Sequence, residues 1–191
     1  MGYEVDGTLF LVKLCIEKKK KFRSNSEFCD IGEEISYMKL IYKIASIEDL
    51  EVLVKTRIEV LRAANKLDDS VDMSEVEAES RTYYEKALVD ESHTAILVFD
   101  GDKFAGAGGV SYYTVMPTYH NPSGRKAYIM NMYTKPEYRR RGIAFKTLDL
   151  LVSDAKNKGI AAISLEATDM GRPLYEKYGF VKMEDEMELP L

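Results

Sequence analysis

Two strand-like runs, "TAILVFD" (94–100) and "KFAGAGGVSYYTV" (103–115), meet at Asp100-Gly101-Asp102. An Asp-Gly step between runs rich in β-branched and aromatic residues predicts a tight antiparallel hairpin. A hairpin this apolar has to be covered. It therefore commits the rest of the chain to supplying strands beside it and helices over it. The glycines of "GAGGV" (106–110) run on into Tyr112, Tyr113 and Val115, which is strand material. They lack the strand-turn-helix context of a dinucleotide fingerprint and predict a strand carrying a bulge instead.

The flanking sequence supplies what the hairpin needs. "KLIYKIA" (39–45) reads as a strand. Ser46 with Asp49 has capping-box spacing and opens a helix whose Leu50, Val54, Ile58 and Leu61 share a face. Ser74 with Glu77 opens a second helix to about Leu88, with Tyr84 and Leu88 inward. "KAYIMNMYT" (126–134) is a strand with Tyr128, Met130 and Met132 on one side. A later helix aligns Ala144, Leu148, Leu151, Val152 and Ala155, and Gly159 caps it. "AAISLEA" (161–167) is a strand, "MGRPLYEKYG" (170–179) a short helix, and "FVKMEDEMELP" (180–190) a closing strand or pair of strands. At 191 residues and 46% hydrophobic, the chain suits one core of mixed α/β class. Residues 1–37, a basic cluster followed by an acidic one, read as an appendage of unknown role, and 38–191 as the folded domain.

Charge and cysteine usage exclude several functions. A formal net charge of -5 argues against nucleic-acid binding through a broad basic face. Cys15, Cys29, His93 and His120 do not fall at metal-ligand spacing, so no metal is expected. The two cysteines read as reduced thiols of a cytoplasmic protein. The apolar stretch "TLFLVKLCI" is broken by Lys13, and no run is long enough to span a bilayer. No membrane partner is expected.

Against this acidic background, "KPEYRRRGIA" (135–144) concentrates three arginines between a strand and a helix. A helix N-terminus carries unpaired N–H groups and a positive dipole end, and it attracts phosphate. Gly142 would admit an anion close to the backbone, and the arginines add charge-assisted donors. These residues alone equally fit a solvated basic turn. No Gly-Lys-Ser/Thr follows, so this is not a P-loop.

The wider pattern separates the two readings. Arg139, Gly142 and Ala144 fit [Q/R]-x-x-G-x-[G/A] after a strand and before a helix, and "LYEKYGF" (174–180) follows about thirty residues on. Together these resemble the GNAT superfamily of acetyl-CoA-dependent N-acetyltransferases, over roughly residues 38–189. The resemblance implies a mostly antiparallel sheet, splayed in its middle, with helices on both faces. It implies that the amides of Arg139, Arg140, Arg141, Gly142, Ile143 and Ala144 cradle the pyrophosphate of acetyl-CoA. The backbone of Met132, Tyr133 and Thr134 would lie along the cofactor arm, with an N–H near Tyr133 polarising the thioester carbonyl.

By the same resemblance Tyr175 is the general acid that meets the departing thiolate; the residue alone could equally be a packed helix tyrosine. Glu166, at the end of a strand facing the cleft, is the first candidate for general base and His120 the second. Glu166 could equally pair with Arg172 or cap the next helix. Where many relatives carry an asparagine against the cofactor arm, this chain has Thr168 and Asp169, so Asp169 inherits that place. The first 37 residues have no counterpart in the family fold. The two N-terminal helices with the loop 114–126 would form the acceptor side. The expected activity is direct transfer of acetyl to a primary amine of a small molecule or peptide, by a soluble enzyme with a homodimer as its candidate assembly. The alternative is an acyl-CoA sensor without turnover.

Overall fold

The computed structural model describes residues 40–184 together with Glu186, Met187 and Leu189. The expected appendage, residues 1–37, lies outside them.

Strand β2 (His93–Asp100) turns through Gly101 and Asp102 into β3 (Lys103–Thr114), as the Asp-Gly step requires. β1 (Leu40–Ile44) pairs with β2, and β4 (Arg125–Thr134) with β3, all antiparallel. β5 (Ala162–Leu165) pairs parallel to β4, giving the order β1-β2-β3-β4-β5. Helices α1 (Leu50–Asn65) and α2 (Ser74–Ala87) precede β2, α3 (Ile143–Asn157) joins β4 to β5, and α4 (Arg172–Tyr178) follows.

β2 shows why its sequence is apolar without alternation. Ala95 and Leu97 pack with Leu53 and Val54 of α1 and Tyr84 of α2. Ile96 and Val98 pack on the other face with Leu148, Leu151, Val152 and Ala155 of α3. A strand covered on both faces has no polar side to show. β3 carries the expected bulge: Phe99 faces Phe104 and Val98 faces Gly106, so Ala105 is the extra residue.

Several local expectations are corrected. Ser46 and Asp49 do form their box, with the Ser46 N–H donating to Asp49 Oδ2 at 3.0 Å, but it closes a 3-10 turn (Ile47–Asp49) ahead of α1. The buried stripe of α1 is Leu53, Val54, Thr56 and Val60; Leu50, Ile58 and Leu61 are half-buried at its margin. At α2 the Ser74 side chain makes no cap. Asp72 Oδ1 accepts the Ser74 N–H at 2.9 Å, and that bond holds the Asp72 carboxyl below its ordinary range. Gly159 does end α3, with the Ile160 N–H reaching back to the Ala155 carbonyl at 3.0 Å.

Beyond Gly179 no strand forms among the described residues. The expected closing strand is therefore not seen there, and Val181, Met183, Met187 and Leu189 are exposed. Among the described residues, no helix is long and apolar enough to cross a membrane.

Candidate active site at the splay between β4 and β5

β4 is paired with β3 from Arg125 to Thr134 but with β5 only through Lys126–Ile129. From Met130 onward the β5-facing edge of β4 has no strand partner among the described residues. The gap opens on a cavity of about 530 Å³ whose first wall is Met132, Tyr133 and Thr134. Thr134 Oγ1 is buried there without a hydrogen-bond partner. A buried unpaired hydroxyl is costly unless something polar comes to meet it.

The edge is shaped by a second bulge. Ala107 faces Tyr133 while Gly109 faces Met130, so Asn131 and Met132 together stand opposite Gly108. Asn131 takes the left-handed conformation at φ 56, and its Oδ1 accepts a hydrogen bond from Arg57 Nη1 of α1 at 3.1 Å. Gly108 makes room: a Cβ there would lie 2.6 Å from Thr147 Cγ2 and 2.7 Å from Met132 Sδ. The bulge overturns the expectation that Tyr128, Met130 and Met132 share one side. Met130 stays on the α1–α2 face, with its sulfur 3.6 Å from Ser111 Oγ, whereas Met132 turns toward α3.

The second wall is the turn into α3. Tyr138, 8% exposed, anchors it by donating to Asp100 Oδ2 at 3.3 Å. Arg139 Nε donates to the Thr134 carbonyl at 3.1 Å, Arg140 has φ 59, and Gly142 has φ 80 as the residue before the helix. No side chain caps α3, so its first N–H groups face the cavity without an internal partner. A Cβ on Gly142 would meet nothing within 4 Å. Its glycine is needed first for the positive φ and leaves the approach to the amides open. Of the predicted phosphate cradle, Arg139, Arg140, Gly142, Ile143 and Ala144 lie on the cavity wall. The Arg141 guanidinium instead stands over the Tyr138 ring at 5.6 Å.

The third wall comes from α4. Tyr175 is 8% exposed and turned into the same cavity, and burial pushes its phenol upward. Among the described residues no hydrogen bond engages its hydroxyl. Thr168, Met170 and Gly171 complete this wall. Asp169 is exposed and lies away from the lining, its carboxylate 4.0 Å from Arg172. Thr168 holds the turn before α4, its carbonyl accepting the Arg172 N–H at 2.8 Å.

The two candidate bases sit apart from this cavity. Glu166 is exposed beyond the end of β5 and hydrogen-bonds Tyr128, whose hydroxyl is pushed up to about 12 by burial and then by that carboxylate. It is Asp169, not Glu166, that pairs with Arg172. His120 is exposed, its ring against Tyr119. Sequence reasoning passed over His93, which is 4% exposed on the α2 side of the sheet. Its Nδ1 lies 3.1 Å from Tyr83 Oη and 3.0 Å from Ser111 Oγ. Its Nε2 is buried without a partner above Gly109. Burial, and then the Arg57 charge, lower this imidazole to about 4, so it is neutral at ordinary pH. The Gly109 that admits the ring was the only sequence sign of it.

Comparison with known proteins gives this geometry a family. The sequence profile of the acetyltransferase (GNAT) family matches residues 60–180. Thialysine N-epsilon-acetyltransferase of Mus musculus is 27% identical over 148 residues, covering 78% of this chain and 76% of that protein. The Bos taurus protein of the same name is 28% identical over 154 residues, covering 81% and 80%. Among solved structures, one described as a predicted acetyltransferase with acetyl-CoA from Clostridium acetobutylicum superposes with a TM-score of 0.73. It is 32% identical and covers 80% of this chain and 96% of its own. A GCN5-related N-acetyltransferase from Ralstonia eutropha JMP134 gives 0.71 at 26% identity, covering 80% and 99%. With a GNAT profile over residues 60–180 and relatives of that name on the same splayed sheet, the chain belongs to the acetyltransferase (GNAT) family and is an N-acetyltransferase.

Proposed function

We propose that this enzyme moves an acetyl group from acetyl-CoA directly to a primary amine of a small molecule, in a ternary complex and without a covalent enzyme intermediate. One observation carries the reading. The edge of β4 beyond Ile129, the uncapped N-terminus of α3 and Tyr175 all line one cavity. The residues fit acetyl-CoA by their own chemistry. The amides of Gly142, Ile143 and Ala144 offer donors to a pyrophosphate, with Arg139 and Arg140 beside them. Thr134 Oγ1 and the edge amides of Met132–Thr134 offer partners to the amide groups of a pantetheine arm. The relative solved with acetyl-CoA supports the same choice.

In the reaction the acceptor nitrogen attacks the acetyl carbonyl carbon, forming C–N as C–S breaks. A β4 amide near Tyr133 stabilises the charge that develops on the carbonyl oxygen. Tyr175, whose raised phenol stays protonated, gives its proton to the leaving sulfur. The proton lost by the attacking amine passes to solvent, with Glu166 as the candidate relay at the cavity's edge, and Tyr175 regains its proton from solvent, so the sum is amine plus thioester to amide plus thiol. The curated relatives are named for an amino acid bearing a side-chain amine. On that ground small amino-acid amines head the acceptor classes, and the cysteine usage fits work in the cytoplasm.

The test is thiol release from acetyl-CoA with thialysine, lysine, polyamines, aminoglycosides and lysine peptides. Turnover with at least one small primary amine is expected. Tight binding of acetyl-CoA with no thiol release across the whole panel would replace the enzyme by a sensor.

A further inference from the structure

We propose that Arg57 and Asn131 act as a positioning pair that sets which main-chain amides of β4 face the acyl carbonyl. The inference rests on the reading that acetyl-CoA lies along the partnerless edge of β4. Asn131 is the only non-glycine residue with positive φ inside a strand among the described residues; Lys66, Glu91 and Arg140 are in turns or at helix ends. It sits where β4 slips by one residue against Gly108.

A slip of one residue exchanges the two faces of a strand, and with them the direction of each following N–H. The side chains after the slip follow the exchange. Met132 packs over Gly108 beside Thr147 and Leu151, and the Tyr133 hydroxyl points at Glu59 of α1 from 3.5 Å. Straightening the bulge would turn Met132 toward α1, and the amides of Met132–Thr134 would trade places between β3 and the cavity. The bulge therefore decides which donor meets the acyl oxygen.

What holds the bulge is distant in sequence. Asn tolerates the left-handed region better than other side-chain-bearing residues but is not confined to it. The Arg57 Nη1 bond to Asn131 Oδ1, at 3.1 Å, fixes the side chain of the residue that adopts it. Arg57 is itself seated on α1 beside Tyr83, Tyr84 and the neutral His93, whose titrations all feel its charge. A helix of the expected acceptor side is thereby tied to the expected acyl-polarising strand.

The experiment combines steady-state kinetics with isotope-edited infrared spectra of bound acetyl-CoA carrying a 13C carbonyl. In the wild type the bound carbonyl band is expected below its position in water. Arg57→Ala should return the band toward the aqueous position and lower kcat by roughly ten- to a hundredfold, the effect of misplacing a reacting group by a fraction of an ångström. The dissociation constant of acetyl-CoA should stay within about twofold, since its phosphate contacts lie elsewhere. Arg57→Lys, which keeps one donor, should recover part of both signals. Asn131→Gly still permits the left-handed conformation but removes the bond that fixes it. It should resemble Arg57→Ala, and the double variant should be no worse than either single one.

If Arg57→Ala fails to fold, Asn131→Gly carries the same readings. A shifted wild-type band that neither variant moves, or a fall in kcat matched by an equal loss of acetyl-CoA affinity, overturns the pair alone. An unshifted wild-type band, or no acetyl-CoA binding, overturns the cofactor reading beneath it as well.

Discussion

Tyr175 lines the cavity with a side chain that is otherwise buried, the Phe180 ring edge-on at 6.1 Å. Packing fixes where the phenol points, and burial keeps it protonated. Tyr175→Phe preserves the packing and removes only the proton. It should lower kcat by roughly a hundredfold, within the range of general-acid catalysis, and leave acetyl-CoA affinity nearly unchanged. Pre-steady-state thiol release compared between the two forms checks it. His93 makes a different prediction, in stability. Its imidazole titrates near 4 when folded and near 6.5 when unfolded, so below pH 6.5 the unfolded chain binds the extra proton first. Its contribution is complete above that value and is lost as the pH falls toward 4. Acidifying from about pH 7 to about pH 5 should cost the wild type roughly 1–2 kcal/mol that His93→Gln does not lose. Urea melts of both proteins at the two pH values measure the difference. Parallel losses would assign the acid sensitivity to another group.

At the scale of elements, the site depends on where strands and helices end. Gly142 joins the turn to α3 at φ 80 with open space beside it. Gly142→Val should destabilise the fold by roughly 1–2 kcal/mol, because a side chain resists that conformation. It should weaken coenzyme A binding at least about tenfold, because the added bulk stands over the amides. Calorimetric titration and thermal melting separate the two effects, and undiminished affinity would remove the phosphate assignment. Gly108→Ala should act first on the fold. Its Cβ would overlap Thr147, Met132 and Leu151, costing roughly 1–3 kcal/mol of stability. The hairpin at Gly101, the helix after the arginines and its Gly159 cap were legible because each is written in a few adjacent residues. The arginine-glycine turn and Tyr175, which line one cavity, stand out for the same reason, each being written in a short run of sequence. The Asn131 bulge was not legible. It depends on Arg57, 74 residues away, and strand periodicity read locally put Met132 on the wrong face. His93 was passed over for a related reason, since its partners Tyr83 and Ser111 come from other elements. The Ser74 pattern misled because Asp72, two residues earlier, supplies the acceptor.

In the folded domain as a whole, function follows from one topological fact. A strand covered along its full length by β3 is paired with β5 through only four residues. Two helices cover one face of the sheet and two the other, so the opening lies between layers and neither face closes it. α1 is tied to β4 by Arg57 and to the residue just after it by the Lys135–Glu59 ion pair at 3.4 Å. The proposed acceptor side and cofactor side would thus share a strand. The central claim is that coenzyme A enters this opening with its diphosphate on the main-chain amides that begin α3. Amide-resolved nuclear magnetic resonance during a titration with coenzyme A tests it most directly. The N–H signals of Arg140–Phe145 and Met132–Thr134 are expected to shift most, with those of β1 and α2 nearly still. Saturation that leaves Gly142, Ile143 and Ala144 unmoved while shifts gather elsewhere would contradict it.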